Sequence, residues 1–375
     1  MTRVADHDKI WDRIICIDLI ASFRNVNNKP DFLMTVRLIP VLKYILLLSV
    51  AVFLLYFAFK NVSLAVIFHE MMQANVLWLA VSTALSFIAL ISRGYRWKLL
   101  IEPLGYQPSL KNTTYAVMVG YLANLAFPRL GEVTRCGSLS TAENIPFNKL
   151  LGTVVVERII DVISLLICIM LVAIIEFDRL GNFFKKNFAD PLASKFQKIT
   201  SSTSGIIILA VIIIVLGIFS FLFIRYSKRK SGSKWTTMIN GFIKGLVSIK
   251  HLNKPWLFVF HSVFIWMLYY LSVYVCLFAL PFTSHLGLAA ALFLLVAGGI
   301  GMSAPVQGGI GAYHLLVSQG LLLYGVKLEN GLSFATLLHS LQLITVIVTG
   351  SAAMLLLFIQ RRKQRPDLTA VKPGL

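Results

Sequence analysis

The sequence predicts an all-α polytopic membrane protein with about six full spans, two re-entrant or broken-helix hairpins and an inverted repeat. Three observations lead there. Of 375 residues, 57% are hydrophobic and mean hydropathy is +0.79, against about 45–50% apolar residues in soluble domains. Several apolar runs reach the roughly 18 residues that cross about 30 Å of hydrocarbon, and none alternates in the ~10-residue pattern of barrel strands. Finally, the Lys and Arg residues gather in particular loops, which sorts the loops to sides of a membrane.

Residues 1–42 form a polar extension with six Lys/Arg, expected to be cytoplasmic. It lacks a secretory-signal pattern, because the first long apolar run starts after Val41. Within it, IWDRIICIDLIASF reads as an interfacial helix or as part of a poorly ordered tail, with Met34 as an alternative start. A transmembrane domain over 43–360 follows, with apolar runs at 43–59, 76–92, 113–127, 150–175, 205–224, 255–280, 288–304, 310–324 and 333–359. A basic tail, 361–375, closes the chain.

Loops 93–112, 225–254 and 361–375 carry four, eight and five Lys/Arg and are expected inside, with both termini cytoplasmic. Loops 60–75, 281–287 and 325–332 carry at most one each and are expected outside. Loop 176–204, with five Lys/Arg and three acids, is the ambiguous one. If it is external, the run 150–175 must start inside, so 113–149 enters and leaves on the cytoplasmic face as a hairpin. Its returning half, RLGEVTRCGSLSTAENIPFN, is too polar to face lipid. By the same count 288–324 starts and ends outside, as two short spans or as a hairpin. In loop 225–254, Trp235, Met238, Ile239, Phe242, Ile243, Leu246 and Val247 recur at helical spacing among Lys234, Lys244 and Lys250. That predicts a basic amphipathic helix on the inner leaflet or against the bundle.

The hairpins share a pattern. PRLGEVTR aligns with PVQGGIGA, pairing Pro128 with Pro305 and Gly131 with Gly308. Farther on, Arg158 falls opposite His339 and Asp161 opposite Gln342. Gly/Pro-interrupted segments in corresponding positions of two halves point to an inverted-repeat transporter and its binding site.

Glu157, Arg158 and Asp161 lie inside an apolar run. Fourteen residues, Val162 to Ile175, remain beyond Asp161 and cover about 21 Å, which places the trio at or just inside the cytoplasmic edge of the hydrocarbon. Glu157 and Asp161 share a helix face, and Arg158 can pair with Asp161. Ionisable groups at that depth either serve function or form an internal ion pair that fixes packing. In NLAFPRLGEVTR, Pro128 stops a helix and Gly131 lets the chain turn. Arg129 and Arg135 suit a phosphate, and Glu132 can position one of them or meet a cationic headgroup. The alternative is an ordinary basic loop. The second hairpin, AGGIGMSAPVQGGIGAYH, has six glycines in eighteen residues, Gly308, Gly309 and Gly311 among them. It suits a broken helix or hinge, with Gln307, His314, His339 and Gln342 as nearby polar groups of lesser weight. Arg93 and Arg96 in SRGYRWKLL read as snorkelling anchors at the interface.

Enzyme and cofactor signatures are missing. HEMMQ lacks the second His of a zincin, and no nucleotide loop or G-x-S-x-G elbow occurs. The four cysteines form no C-x-x-C pair, so neither a metal site nor a disulfide framework is expected. The net charge of +19 follows the loops and reads as positive-inside bias and attraction to anionic lipid, not as a nucleic-acid footprint.

Asn124, Pro128, Gly131, Glu132 and Arg135 stand in the pattern N-x-x-x-P-R-x-G-E-x-x-R, which resembles the motif of the flippase-like transmembrane domain of lysyl-phosphatidylglycerol synthases and its stand-alone relatives. Arg129 stands one place ahead of the family's arginine. VVVERIIDVISLL resembles the family's E-R-x-x-D helix and APVQGGIGAYH its P-x-x-G-G-x-G segment, so the resemblance covers about 38–362. It implies movement of a phospholipid or other amphipathic lipid between leaflets. The aminoacyl-transferring domain would follow the last span and is absent from this chain, so the expectation is a non-enzymatic translocase of the cytoplasmic membrane. Arg135, Arg158 and Arg129 would hold the phosphate, with Glu132, Glu157 and Asp161 tuning it. Expected partners are membrane lipids, above all anionic phospholipid, and a separate lipid-modifying enzyme. The rival readings are a secondary transporter of a small anion and a non-catalytic membrane partner of such an enzyme.

Overall fold

The computed structural model describes residues 48–60, 62–185, 190 and 252–364. Among these it is helical, with no strand. In chain order the helices are α1 Leu48–Phe59, α2 Leu64–Met72, α3 Val76–Ile101, α4 Leu110–Ala126, α5 Leu130–Glu143, α6 Phe147–Ile175, α7 Phe177–Phe184, α8 Pro255–Leu277, α9 Leu288–Ser303, α10 Ala312–Leu322 and α11 Leu328–Gln364. The extension 1–42, the expected span 205–224, the expected amphipathic helix at 235–247 and residues 365–375 lie outside the described residues.

Among the described residues, four helices are long and apolar enough to cross a membrane: α3 with its 3-10 extension to Leu104, α6, α8 and α11 over Leu328–Arg361. They match four of the six expected full spans. For a fifth, over 43–59, the described part is α1, which reaches spanning length only together with α2, across an 82° bend.

Local chemistry sets several ends. The Asn75 side chain accepts the Leu77 N–H at 3.0 Å and starts α3. Ser109 accepts the Asn112 N–H and starts α4. Pro255, in the first turn of α8, gives up an N–H that has no intrahelical partner there anyway.

Both Gly/Pro segments are antiparallel helical hairpins. α4 and α5 have 17 and 14 residues, about 25 and 21 Å, and α9 and α10 have 16 and 11, about 24 and 16 Å. Each arm is shorter than the ~30 Å of hydrocarbon. The first hairpin is tied at its base by Glu143, whose Oε1 accepts from Ser109 N, Ser109 Oγ and Asn112 Nδ2 at 2.7–2.9 Å. Its arms cross where Gly120 and Gly131 stand backbone to backbone. In the second, Gly298 and Gly301 admit Tyr313, and Gly320 admits Phe293.

Contacts sort the helix ends into two sets. At one end of the bundle, Lys149 reaches Tyr106 (3.3 Å), Trp97 donates to Thr153 (2.8 Å), Phe258 packs on Leu99 and Leu100, and Ala353 joins the cluster of Trp97 and Ile145. At the other, Asn75 N donates to Ala279 O (2.8 Å), Arg179 lies over the Tyr324 ring, and Ala74, Leu286 and Val326 share a cluster. The base of the first hairpin belongs to the first end and that of the second hairpin to the second.

Candidate functional site

Three helices each bring a pair of charged residues at helical spacing to one place. α3 supplies Arg93 and Arg96, α5 supplies Glu132 and Arg135, and α6 supplies Glu157 and Asp161 with Arg158 between them. Gly94 lets α3 approach α4 closely, since a Cβ there would collide with Thr114. Arg93 stands 17 residues after Val76, about 26 Å along α3, which agrees in depth with Asp161.

Glu157 is the hub. Its side chain has no exposed surface, and its Oε1 accepts from Arg93 Nη2 (3.0 Å) and Arg96 Nη2 (3.1 Å), its Oε2 from Arg135 Nη2 (2.7 Å). Asp161 accepts from Arg96 Nη2 at 2.7 Å and from Arg93. Arg93 also donates to the Tyr269 hydroxyl (3.2 Å), and the Arg135 guanidinium lies 4.7 Å from the Trp97 ring centre. Arg158 differs from the rest. Its side chain is 42% exposed, and its closest carboxylates, on Asp161, Glu157 and Glu132, are 3.7–3.8 Å away. Among the described residues, four arginines thus face three carboxylates. The Nε donors of Arg93, Arg96, Arg135 and Arg158 are buried without an acceptor among the described residues, as is Arg96 Nη1.

Three sequence expectations change. Arg93 and Arg96 are not snorkelling anchors: α3 continues to Ile101, so both side chains turn inward to the carboxylates of α6 and are buried at 5% and 0%. The strong partners of Asp161 are those two arginines, not Arg158. Arg129 stays out of the cluster; it is exposed, caps α5 in a left-handed conformation (φ 68°) and makes none of the ion pairs among the described residues. Asn124 acts on the backbone, its Oδ1 accepting the Gly131 N–H at 2.7 Å and closing the tip beside Pro128.

At the second tip, Pro305 precedes a 3-10 turn over Gln307–Gly309, with Gly308, Gly309 and Gly311 at φ of 56°, 74° and 84°. Gly131 and Gly308 hold equivalent places in sequence but differ in role: Gly131 is a buried contact inside a helix, Gly308 a left-handed turn. His339 bonds the Gly308 carbonyl (2.9 Å), and Gln307 is buried with both amide atoms unpaired among the described residues. Gln342 is half-buried one turn beyond His339 on α11. The tips meet, because a Cβ on Gly308 would stand 3.2 Å from the Leu125 side chain. That contact is apolar. Separately, an apolar groove of about 670 Å³ between α3 and α11 is lined by Leu79, Phe87, Ile344 and Val348 and by Thr83 and Thr345, whose hydroxyls bond back to their own helices.

Residues 44–350 match the family described as the lysylphosphatidylglycerol synthase TM region. The chain is 29% identical over 126 residues to a UPF0104 membrane protein of Methanocaldococcus jannaschii, an alignment covering 33% of this chain and 38% of that relative. No solved structure matches.

Proposed function

We propose a lipid-translocating function from one premise: this chain belongs to the lysylphosphatidylglycerol synthase TM region family. It moves an anionic phospholipid, or another amphipathic lipid, between leaflets of the cytoplasmic membrane. The observation that carries the reading is the unbalanced buried cluster. Four arginines meet three carboxylates, and the odd one, Arg158, is the one with exposed surface and loose pairing. A phosphodiester carries the single negative charge the cluster lacks and can take a guanidinium fork. The groove between α3 and α11 suits an acyl chain. Arg158 and Glu132 receive the headgroup, and Arg135, Glu157 and Asp161 form the frame behind them. With no nucleotide motif, the drive is an ion gradient, the membrane potential or mass action.

The reading takes the fold as an inverted repeat of six spans and two re-entrant hairpins, with the Lys149 end cytoplasmic. Reciprocal packing supports it. The opening arm of the first hairpin lies on α11, where Gly350 meets Met118 and Leu122, and that of the second lies on α6, where Gly299 meets Leu165. Where α3 crosses α8, Ser82 Oγ donates to Ser272 O (3.0 Å) and Ser272 Oγ to Ser82 O (3.1 Å).

The test is reconstitution with fluorescent phosphatidylglycerol, phosphatidylethanolamine and phosphatidylcholine. Protein vesicles should exchange the anionic lipid faster than empty ones, and Arg158→Gln should slow exchange at least tenfold. Rates equal to empty vesicles for every headgroup would sink the proposal. Saturable uptake of inorganic phosphate without lipid exchange would favour the small-anion transporter.

A further inference from the structure

The tip of the second hairpin is held by two histidines that the charge cluster does not use. His339 on α11 and His314 on α10 face each other, ring centres 4.8 Å apart and nearly perpendicular at 83°. Both are buried, at 1% and 6% exposure. Their hydrogen bonds fix their proton positions. A carbonyl can only accept, so His339 Nε2 carries the hydrogen donated to Gly308 O. A backbone N–H can only donate, so His314 Nδ1, which receives the Gly311 N–H at 3.3 Å, carries none. Gly311 is seated tightly on α1, since a Cβ there would stand 2.6 Å from Leu54 Cβ and 3.0 Å from Ala51 O.

We propose that His314 is a proton-binding site whose occupation unseats the tip of the second hairpin. A proton arriving at Nδ1 turns the acceptor of the Gly311 N–H into a donor, and the two hydrogens then oppose each other. The closed tip and the protonated ring therefore exclude each other. His339 differs, because its free nitrogen can gain a proton while Nε2 keeps its bond to Gly308. The groups facing the pair are few. Phe59 of α1 lies 5.7 Å from His314 and Tyr313 of α10 stacks on His339 at 4.9 Å. Cys276 of α8 and Gln342 of α11 stand beside Tyr313. No charged side chain contacts either imidazole among the described residues. Gln307, buried and unpaired in the same turn, offers its amide to a backbone group that the shift would free. Exclusive binding makes the ratio of closed to released tip fall about tenfold per pH unit below the ordinary imidazole range near pH 6.5.

This inference stands apart from the lipid reading and is tested without transport. Amide exchange of the full chain in detergent is followed by mass spectrometry from pH 8 to pH 5. Rates in peptides over 305–314 are corrected for intrinsic exchange and referred to a peptide from α4. The tip should lose protection about tenfold per pH unit below pH 6.5 while α4 does not. His314→Gln, whose amide oxygen accepts the Gly311 N–H but binds no proton, should be flat. His339→Gln, whose amide nitrogen can still donate to Gly308, should keep the slope. A flat wild-type tip, a wild-type slope in His314→Gln, or a slope lost in His339→Gln would each overturn the assignment.

Discussion

Glu157 accepts from three arginines on two other helices and has no exposed surface. Removing its charge leaves those arginines facing one another in a medium where desolvation is costly. Glu157→Gln should therefore destabilise the protein by about 3–5 kcal/mol, read as a lowered melting temperature in detergent. Adding Arg135→Gln should recover part of the loss, because the two residues are direct partners. Arg158→Gln removes a loosely paired, 42% exposed side chain and should cost under about 1 kcal/mol, so its effect on lipid exchange is separable from folding. Melting temperatures that fall equally in Glu157→Gln and Arg158→Gln would contradict the hub assignment. Glu157, Arg158 and Asp161 were legible in the sequence because charge inside an apolar run is rare. Arg93 and Arg96 were not, because an arginine at the end of such a run looks the same whether it snorkels or pairs. Only the matching spacings, three on one helix and four on another, hinted at the pairing.

The hairpins depend on glycines for two different reasons, and substitution separates them. Gly131 sits in helical conformation with the Gly120 carbonyl and the Asn124 amide where a Cβ would go. Gly131→Ala should force the arms apart and lower the melting temperature by several degrees or abolish a monodisperse preparation. Gly137→Ala, in the same helix with nothing within 4 Å of the added carbon, should be neutral or slightly stabilising through better helix propensity. An unchanged melting temperature for Gly131→Ala would mean that the arms do not cross at that point. The breaks at Pro128 and Pro305 were readable, since proline and clustered glycine act locally on φ and on hydrogen bonding. The close approach at Gly131 and the left-handed turn at Gly308 were not distinguishable, because the sequence states that a side chain is missing and not which neighbour requires it.

Across the whole molecule, the proposed arrangement has the two hairpins enter from opposite faces. This arrangement assigns exposed residues to sides. In that proposal Lys149, beside Tyr106 at the base of the first hairpin, is assigned to the cytoplasmic face. Lys327, in the turn between α10 and α11, is assigned to the external face. In a background with Cys16, Cys136, Cys168 and Cys276 replaced, Lys149→Cys and Lys327→Cys are each treated with a membrane-impermeant maleimide. Right-side-out vesicles should label only position 327 and inside-out vesicles only position 149. Labelling of both from one side would remove the opposed entry of the hairpins. The inverted repeat would go with it, because a two-fold axis in the membrane plane must exchange the faces from which the two hairpins enter.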